Sequence, residues 1–198
     1  MPLKVNKIAG VDEVGRGCLA GPVFSAAVIL KNKIDVKDIK DSKKLSFKKR
    51  LLLSSYIKKN SIYALGTASV EEINKFNILN ASLLSMKRAL TNLKLKPAKA
   101  YIDGLFAPKN LNIKCQTFVK GDEKIVSIAA ASIVAKVARD LFMIKLSKKF
   151  PNYRWDKNFG YGTKNHLYGL KKYGITRHHR KKFKPVHNIL FRTTRETQ

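Results

Sequence analysis

Only 13 of the 198 residues are Asp or Glu, so the places where acids stand carry information. Asp12 and Glu13 follow one apolar run, Asp103 ends another, and Asp122 opens a long apolar segment. In an α/β sheet, binding sites collect at strand ends. Four carboxylates gathered there suit phosphodiester hydrolysis with two divalent ions. Mg2+ and Mn2+ prefer oxygen ligands, and two ions ~3.5–4 Å apart stabilise the attacking and leaving oxygens together. Strand geometry opposes this for Asp12 and Glu13, because adjacent side chains point to opposite faces. Both reach one site only if the chain bends, and Val14-Gly15-Arg16-Gly17 offers a bend, since glycine tolerates positive φ. Each acid also has a plainer reading. Asp122 after Gly121 suits a helix N-cap, Asp103-Gly104 a turn, and Asp12-Glu13 a pair of solvated charges. Spacing alone does not show that the four converge.

Other residues suit contacts to a nucleic acid. In Gly15-Arg16-Gly17, glycines allow close backbone approach and Arg16 offers a planar fork for phosphate; a simple turn has the same composition. Tyr161, between Gly160 and Gly162, could stack on a sugar or base, or pack as an ordinary loop aromatic. Lys43, in the polar loop Asp41-Ser42-Lys43-Lys44, is a phosphate contact or one more solvated lysine. His178-His179 lacks further ligands at zinc spacing; His179 reads as a surface histidine, a proton carrier or a phosphate contact.

The elements that must position these residues follow from periodicity. Short runs rich in Val, Ile and Ala predict strands over 5–11, 22–30, 62–68, 99–103 and 112–119. Ser46 caps a helix to about Lys58, and 70–93 is helical with a break near Asn77. Asp122 opens a helix to about Lys149, closed by Pro151. Its middle, 128–135, is apolar nearly all round and rich in alanine, as expected of a buried helix lying close on a sheet. A shorter helix over 165–173 ends at Gly174. The order predicts an α/β fold with a mixed central sheet flanked by helices and a helical C-terminal extension. A single domain over 1–198 is expected, with a loose basic tail from about 187.

Charge sets the class of partner. Lys and Arg number 41, giving a formal net charge of +28. That favours a polyanion, nucleic acid ahead of an anionic membrane, although genome-wide lysine bias raises charge too. The charge also favours a monomer. Cys18 and Cys115 are too few and too far apart for a disulfide framework. No segment resembles a signal peptide or membrane span, so no membrane association and a cytoplasmic location are expected.

Several of these segments together resemble bacterial ribonuclease HII. Ala9-Gly10-Val11-Asp12-Glu13-Val14-Gly15-Arg16-Gly17 through Val23 is similar to the family's first motif, and Asp41-Ser42-Lys43-Lys44-Leu45 to its second. Val70-Glu71-Glu72-Ile73, Asn77-Ile78-Leu79 and Met86 follow, then Asp103-Gly104. Gly121-Asp122 with Ser127–Ile133 and Arg139-Asp140 is a specific match, and Gly160-Tyr161-Gly162-Thr163, His166, Thr176, His179-Arg180 and Phe183 complete the order. The resemblance spans about 8–186. It implies a ribonuclease H-like fold with Asp12, Glu13, Asp103 and Asp122 as catalytic metal ligands for two Mn2+ or Mg2+ ions. It implies that Gly15, Arg16, Gly17 and Tyr161 read the junction where ribose meets deoxyribose, with Lys43 and Arg16 on phosphates. The implied substrates are RNA–DNA hybrids and duplex DNA containing ribonucleotides, cut on the 5′ side of the ribonucleotide to leave 5′-phosphate and 3′-hydroxyl ends. The competing readings are a basic RNA-binding protein without catalysis, which leaves the placed acids unexplained, and a hybrid nuclease indifferent to junctions. The related type HIII enzymes carry an added N-terminal domain, and here the first motif starts within the first dozen residues.

Overall fold

The computed structural model describes residues 7–31, 39 and 45–195. Lys43 and its loop, Val5 at the start of the first predicted strand, and the last three residues of the basic tail lie outside the described residues. Contacts divide the chain into two compact units. The described residues of Met1–Val14, Phe24–Thr67 and Ser82–Ala138 form the first; those of Gly15–Val23, Ala68–Ala81 and Arg139–Gln198 form the second.

The first unit is built on a mixed sheet. Its strands are β1 (Ile8–Val14), β2 (Val23–Leu30), β3 (Ser61–Ala68), β4 (Lys99–Asp103) and β5 (Lys114–Phe118), in the order β3-β2-β1-β4-β5. β1 runs antiparallel to β2 and parallel to β4, and β4 runs parallel to β5. Apolar residues populate both faces of the central strands, as a sheet covered on both sides requires. Ala9, Val11, Ala27, Ile29 and Ile102 pack with Met86, Ala89 and Leu90 of α2 (Val70–Thr91). On the other face Ala26 and Val28 pack with Leu53 and Ile57 of α1 (Phe47–Lys59) and with 129–135 of α4 (Val126–Ser147). The predicted N-cap holds: the Ser46 hydroxyl accepts the Lys49 amide. α4 comes close at Gly10, where a Cβ would overlap the backbone of Ser127 and Ile128. The break in α2 falls on Asn77, at φ 69°.

The long helix expected from Asp122 is divided in the structure. A one-turn α3 (Gly121–Lys124) comes first, Ile125 is extended (φ −123°, ψ 114°), and α4 begins at Val126. Asp122 therefore lies on the short turn rather than at the start of the buried helix.

The second unit is mainly helical: α5 (Trp155–Asn158), α6 (Lys164–Tyr173) and α7 (Lys184–Arg195), after a 3-10 turn over Pro151–Tyr153. Leu19, Ala20, Met143, Tyr153, Trp155, Leu170 and Val186 form its core. The C-terminal segment is helical to Arg195, where composition suggests a loose tail. Val186, fully buried, anchors it. Among the described residues, no helix is long and apolar enough to cross a membrane.

Candidate active site

All four acids belong to the first unit. Asp12 and Glu13 lie within β1, not after it, because pairing with β2 continues through Val14↔Phe24. The expected bend therefore comes only after the pair, at Gly15, yet the two carboxyls still interact, since the Glu13 charge acts on that of Asp12. Asp12 is buried, hydrogen-bonds the Ser132 side chain on α4, and accepts the Glu13 amide on Oδ1 at 2.7 Å. Asp103 ends β4, the parallel neighbour of β1. Its Oδ1 accepts the Gly121 amide at 2.7 Å, which ties the strand end to the turn carrying Asp122.

These contacts have an electrostatic cost. The Asp12 carboxyl is pushed well above the usual carboxylate range, first by burial, then by the Glu13 charge, with Asp103 adding to it. The Ser132 and Glu13 amide hydrogen bonds pull the other way and do not outweigh burial. Carboxylates crowded in a buried corner favour a bound cation, and a set of hard oxygen donors fits Mg2+ or Mn2+. Asp12, Glu13 and Asp103 stand as neighbours rather than as a finished cage: among the described residues, no three His, Cys, Asp or Glu side chains are drawn together tightly enough to hold a metal ion.

Gly15, Arg16, Gly17 and Tyr161 belong to the second unit. Gly15 turns the chain at φ 96°, and a Cβ there would overlap the Arg139 guanidinium. Arg16 and Gly17 are exposed. Tyr161 is 40% exposed, its ring hydroxyl meets the Cys18 thiol, and burial and Cys18 push its pKa up, so it remains a phenol at neutral pH. The Gly160 carbonyl accepts the Leu19 amide at 2.8 Å, which joins the tyrosine turn to the Gly15–Pro22 loop.

His179 departs from every sequence reading: it is neither a surface group nor placed to carry a proton or meet phosphate. It is buried, and its Nε2 lies 3.1 Å from Nε2 of buried His166. Nδ1 of His166 faces the Tyr161 carbonyl at 2.9 Å, so it carries the proton. Nε2 of His166 must then accept, from Trp155 Nε1 (3.1 Å) and from His179. Nδ1 of His179 accepts the Thr176 amide at 2.9 Å. Both rings are neutral; burial, then the neighbouring His166, holds His179 down to about 3.

Sequence reasoning missed the roles of Arg139 and Arg180. Both are completely buried. Arg139 donates to the carbonyls of Pro22, Ala20 and Phe159; Arg180 donates to those of Gly15, Arg16 and Gly21. Arg180 stands in a basic run that looks like surface. The available signal was Arg139 itself, in a helix that carries no charge from Val126 to Ala135.

The family model of ribonuclease HII matches residues 9–191. The chain belongs to the ribonuclease HII family. Ribonuclease HII of Pelagibacter ubique is 60% identical over 183 residues, covering 92% of this chain and 98% of that protein. The crystal structure of ribonuclease H2 from Pyrococcus horikoshii superposes with a TM-score of 0.79 at 28% identity, covering 94% of this chain and 98% of that one. The Mn2+ complex of Bst-RNase HIII shares the fold, with a TM-score of 0.66 at 17% identity over 95% of this chain and 70% of the longer HIII chain. As a member of the ribonuclease HII family, the chain is a ribonuclease H enzyme, an endonuclease.

Proposed function

We propose that the enzyme hydrolyses the RNA strand of RNA–DNA hybrids and cuts duplex DNA on the 5′ side of an embedded ribonucleotide, leaving 5′-phosphate and 3′-hydroxyl ends. Its role is ribonucleotide removal from DNA, as a cytoplasmic monomer. The observation that carries the reading is that buried Asp12 and its neighbour Glu13, in the last three residues of β1, stand on the strand parallel to β4, which ends at Asp103. A basic surround that attracts a nucleic acid and an acidic pocket that attracts cations are complementary parts of a nuclease.

Asp12, Glu13, Asp103 and Asp122 would hold two Mg2+ or Mn2+ ions; the Mn2+ complex of the HIII structure makes such an ion reasonable for the fold. Such ions, when bound, supply an activated water and stabilise charge on the departing 3′-oxygen. The protein's own groups do the rest. The Ser132 side chain and the Glu13 amide orient the Asp12 carboxylate, and the Gly121 amide orients that of Asp103. Main-chain groups of Gly15–Gly17 read the ribose 2′-hydroxyl, the group that distinguishes RNA from DNA. Tyr161 stacks on the following deoxyribose, and Arg16 and Lys43 hold phosphates.

Asp103→Asn tests the assignment. It keeps the side chain's shape and an oxygen for the Gly121 amide but removes the charge. Metal-dependent cleavage should fall at least about a hundredfold, while binding of the duplex, followed by fluorescence anisotropy, changes little. Undiminished turnover would remove Asp103 from the site.

A further inference from the structure

Arg180 is a surface-type residue placed where no solvent reaches it. Nε donates to the Gly21 carbonyl at 2.9 Å and Nη1 to that of Arg16 at 2.8 Å. Nη2 donates to the carbonyls of Gly15 at 2.7 Å and Gly21 at 2.8 Å. All four bonds end on main-chain oxygens of one loop. Burying a guanidinium carries a desolvation penalty of several kcal/mol, and an ordinary turn can be closed by its own amides. The arrangement therefore needs a reason beyond closing a turn.

Carbonyl direction supplies it. The peptide group is planar, and in the trans form C=O and N–H point opposite ways; the described residues contain no cis bond. When Arg180 holds the Gly15 oxygen, the Arg16 N–H is turned away from the guanidinium. When it holds the Arg16 oxygen, the Gly17 N–H is turned away too. Two consecutive amide hydrogens are thus turned away from the guanidinium, on two residues that are both exposed. Rotation of either peptide plane in a Gly-Arg-Gly segment is easy and would present an oxygen in place of a hydrogen.

We propose that Arg180 is a positioning residue for ribonucleotide recognition, presetting the Arg16 and Gly17 amides as a donor pair for the ribose 2′-hydroxyl. This rests on the reading of Gly15–Gly17 as the turn that meets the ribose. Arg180 touches no substrate; it acts through the loop. Arg139 completes the frame by joining the carbonyls of Ala20 and Pro22 to that of Phe159, two residues before Tyr161. Lysine cannot replace this fork, because a single ammonium does not span oxygens spread along a loop.

The test compares wild type with Arg180→Lys and Arg180→Gln, each assayed below its own unfolding transition. The substrates are duplex DNA with one ribonucleotide and a long RNA–DNA hybrid. A single ribonucleotide offers one productive register, whereas a hybrid offers a ribose at every step. The expected result is a fall of about tenfold or more in the ratio of single-ribonucleotide to hybrid cleavage, carried by kcat rather than KM. Leu170→Ala, which empties a core position of the same unit, should lower both activities together and leave the ratio unchanged. Gln accommodates burial without charge, so it carries the test if the Lys variant does not fold. A ratio within twofold of wild type in a folded variant would overturn the role of Arg180. Failure of wild type itself to cut at the single ribonucleotide would instead overturn the reading of the turn, a distinguishable outcome.

Discussion

Buried titratable groups give this protein two opposite pH responses. His166 and His179 are depressed, His179 to about 3 from 6.5, so the folded state keeps them neutral while the unfolded chain takes up protons. Their stabilisation is complete above about pH 6.5 and is lost as pH falls towards 3, a change of roughly 4 kcal/mol for His179. Thermal melts from pH 8 to 4 should show a Tm that falls below pH 6.5, and a flat curve would contradict the buried neutral pair. Asp12 is raised, so the folded state there favours the proton, and stability falls as pH rises from the unfolded value near 4. Asp12→Asn should therefore melt above wild type at pH 8 in EDTA, with the difference closing towards pH 4. Tyr161→Ala would remove the proposed stacking on the deoxyribose. It should slow cutting at a single ribonucleotide roughly tenfold or more while affecting a long hybrid less; equal losses would argue against junction reading. At this scale Asp103 at the end of its strand was legible, because acids are scarce and it closes an apolar run; that Asp12 and Glu13 lie inside β1 and Asp122 on a short turn was not. Arg180 and His179 were not, because burial is a tertiary property and both sit in a sequence that reads as basic surface.

Elements were legible wherever hydrophobic period is strong, and their ends were not. The apolar runs over 23–30 and 99–103 are strands as expected. β1 runs on to Val14 through two acids, because cross-strand pairing with β2, not local polarity, decides where it stops. The break at Ile125 has no Pro or Gly to announce it; the hydrogen bond from the Gly121 amide to Asp103 holds α3 to the strand end. Helix α4 comes close because its side chains are small and because β1 offers Gly10. Gly10→Ala should set the new methyl against helix backbone that cannot yield locally. A loss of about 1–3 kcal/mol is expected by urea denaturation. An unchanged midpoint would mean that helix and strand separate freely.

At the scale of the molecule, the sequence predicted a mixed sheet under helices, and the structure has one, with a second helical unit assembled from three separated stretches of chain. No local pattern could announce that division. The excess of 28 positive charges belongs to this scale as well. Binding to an all-DNA duplex should weaken linearly in a plot of log affinity against log salt, with a slope close to the number of phosphates contacted. A salt-independent affinity would mean that the lysines are merely solvated.

The most direct test is cleavage of an end-labelled DNA duplex containing one ribonucleotide, in Mg2+, Mn2+ or EDTA, mapped to the nucleotide. A single metal-dependent cut immediately 5′ of the ribonucleotide is predicted, with no product in EDTA. Cutting of a long hybrid but not of this duplex would contradict junction recognition, and cutting undiminished in EDTA would contradict the carboxylate site.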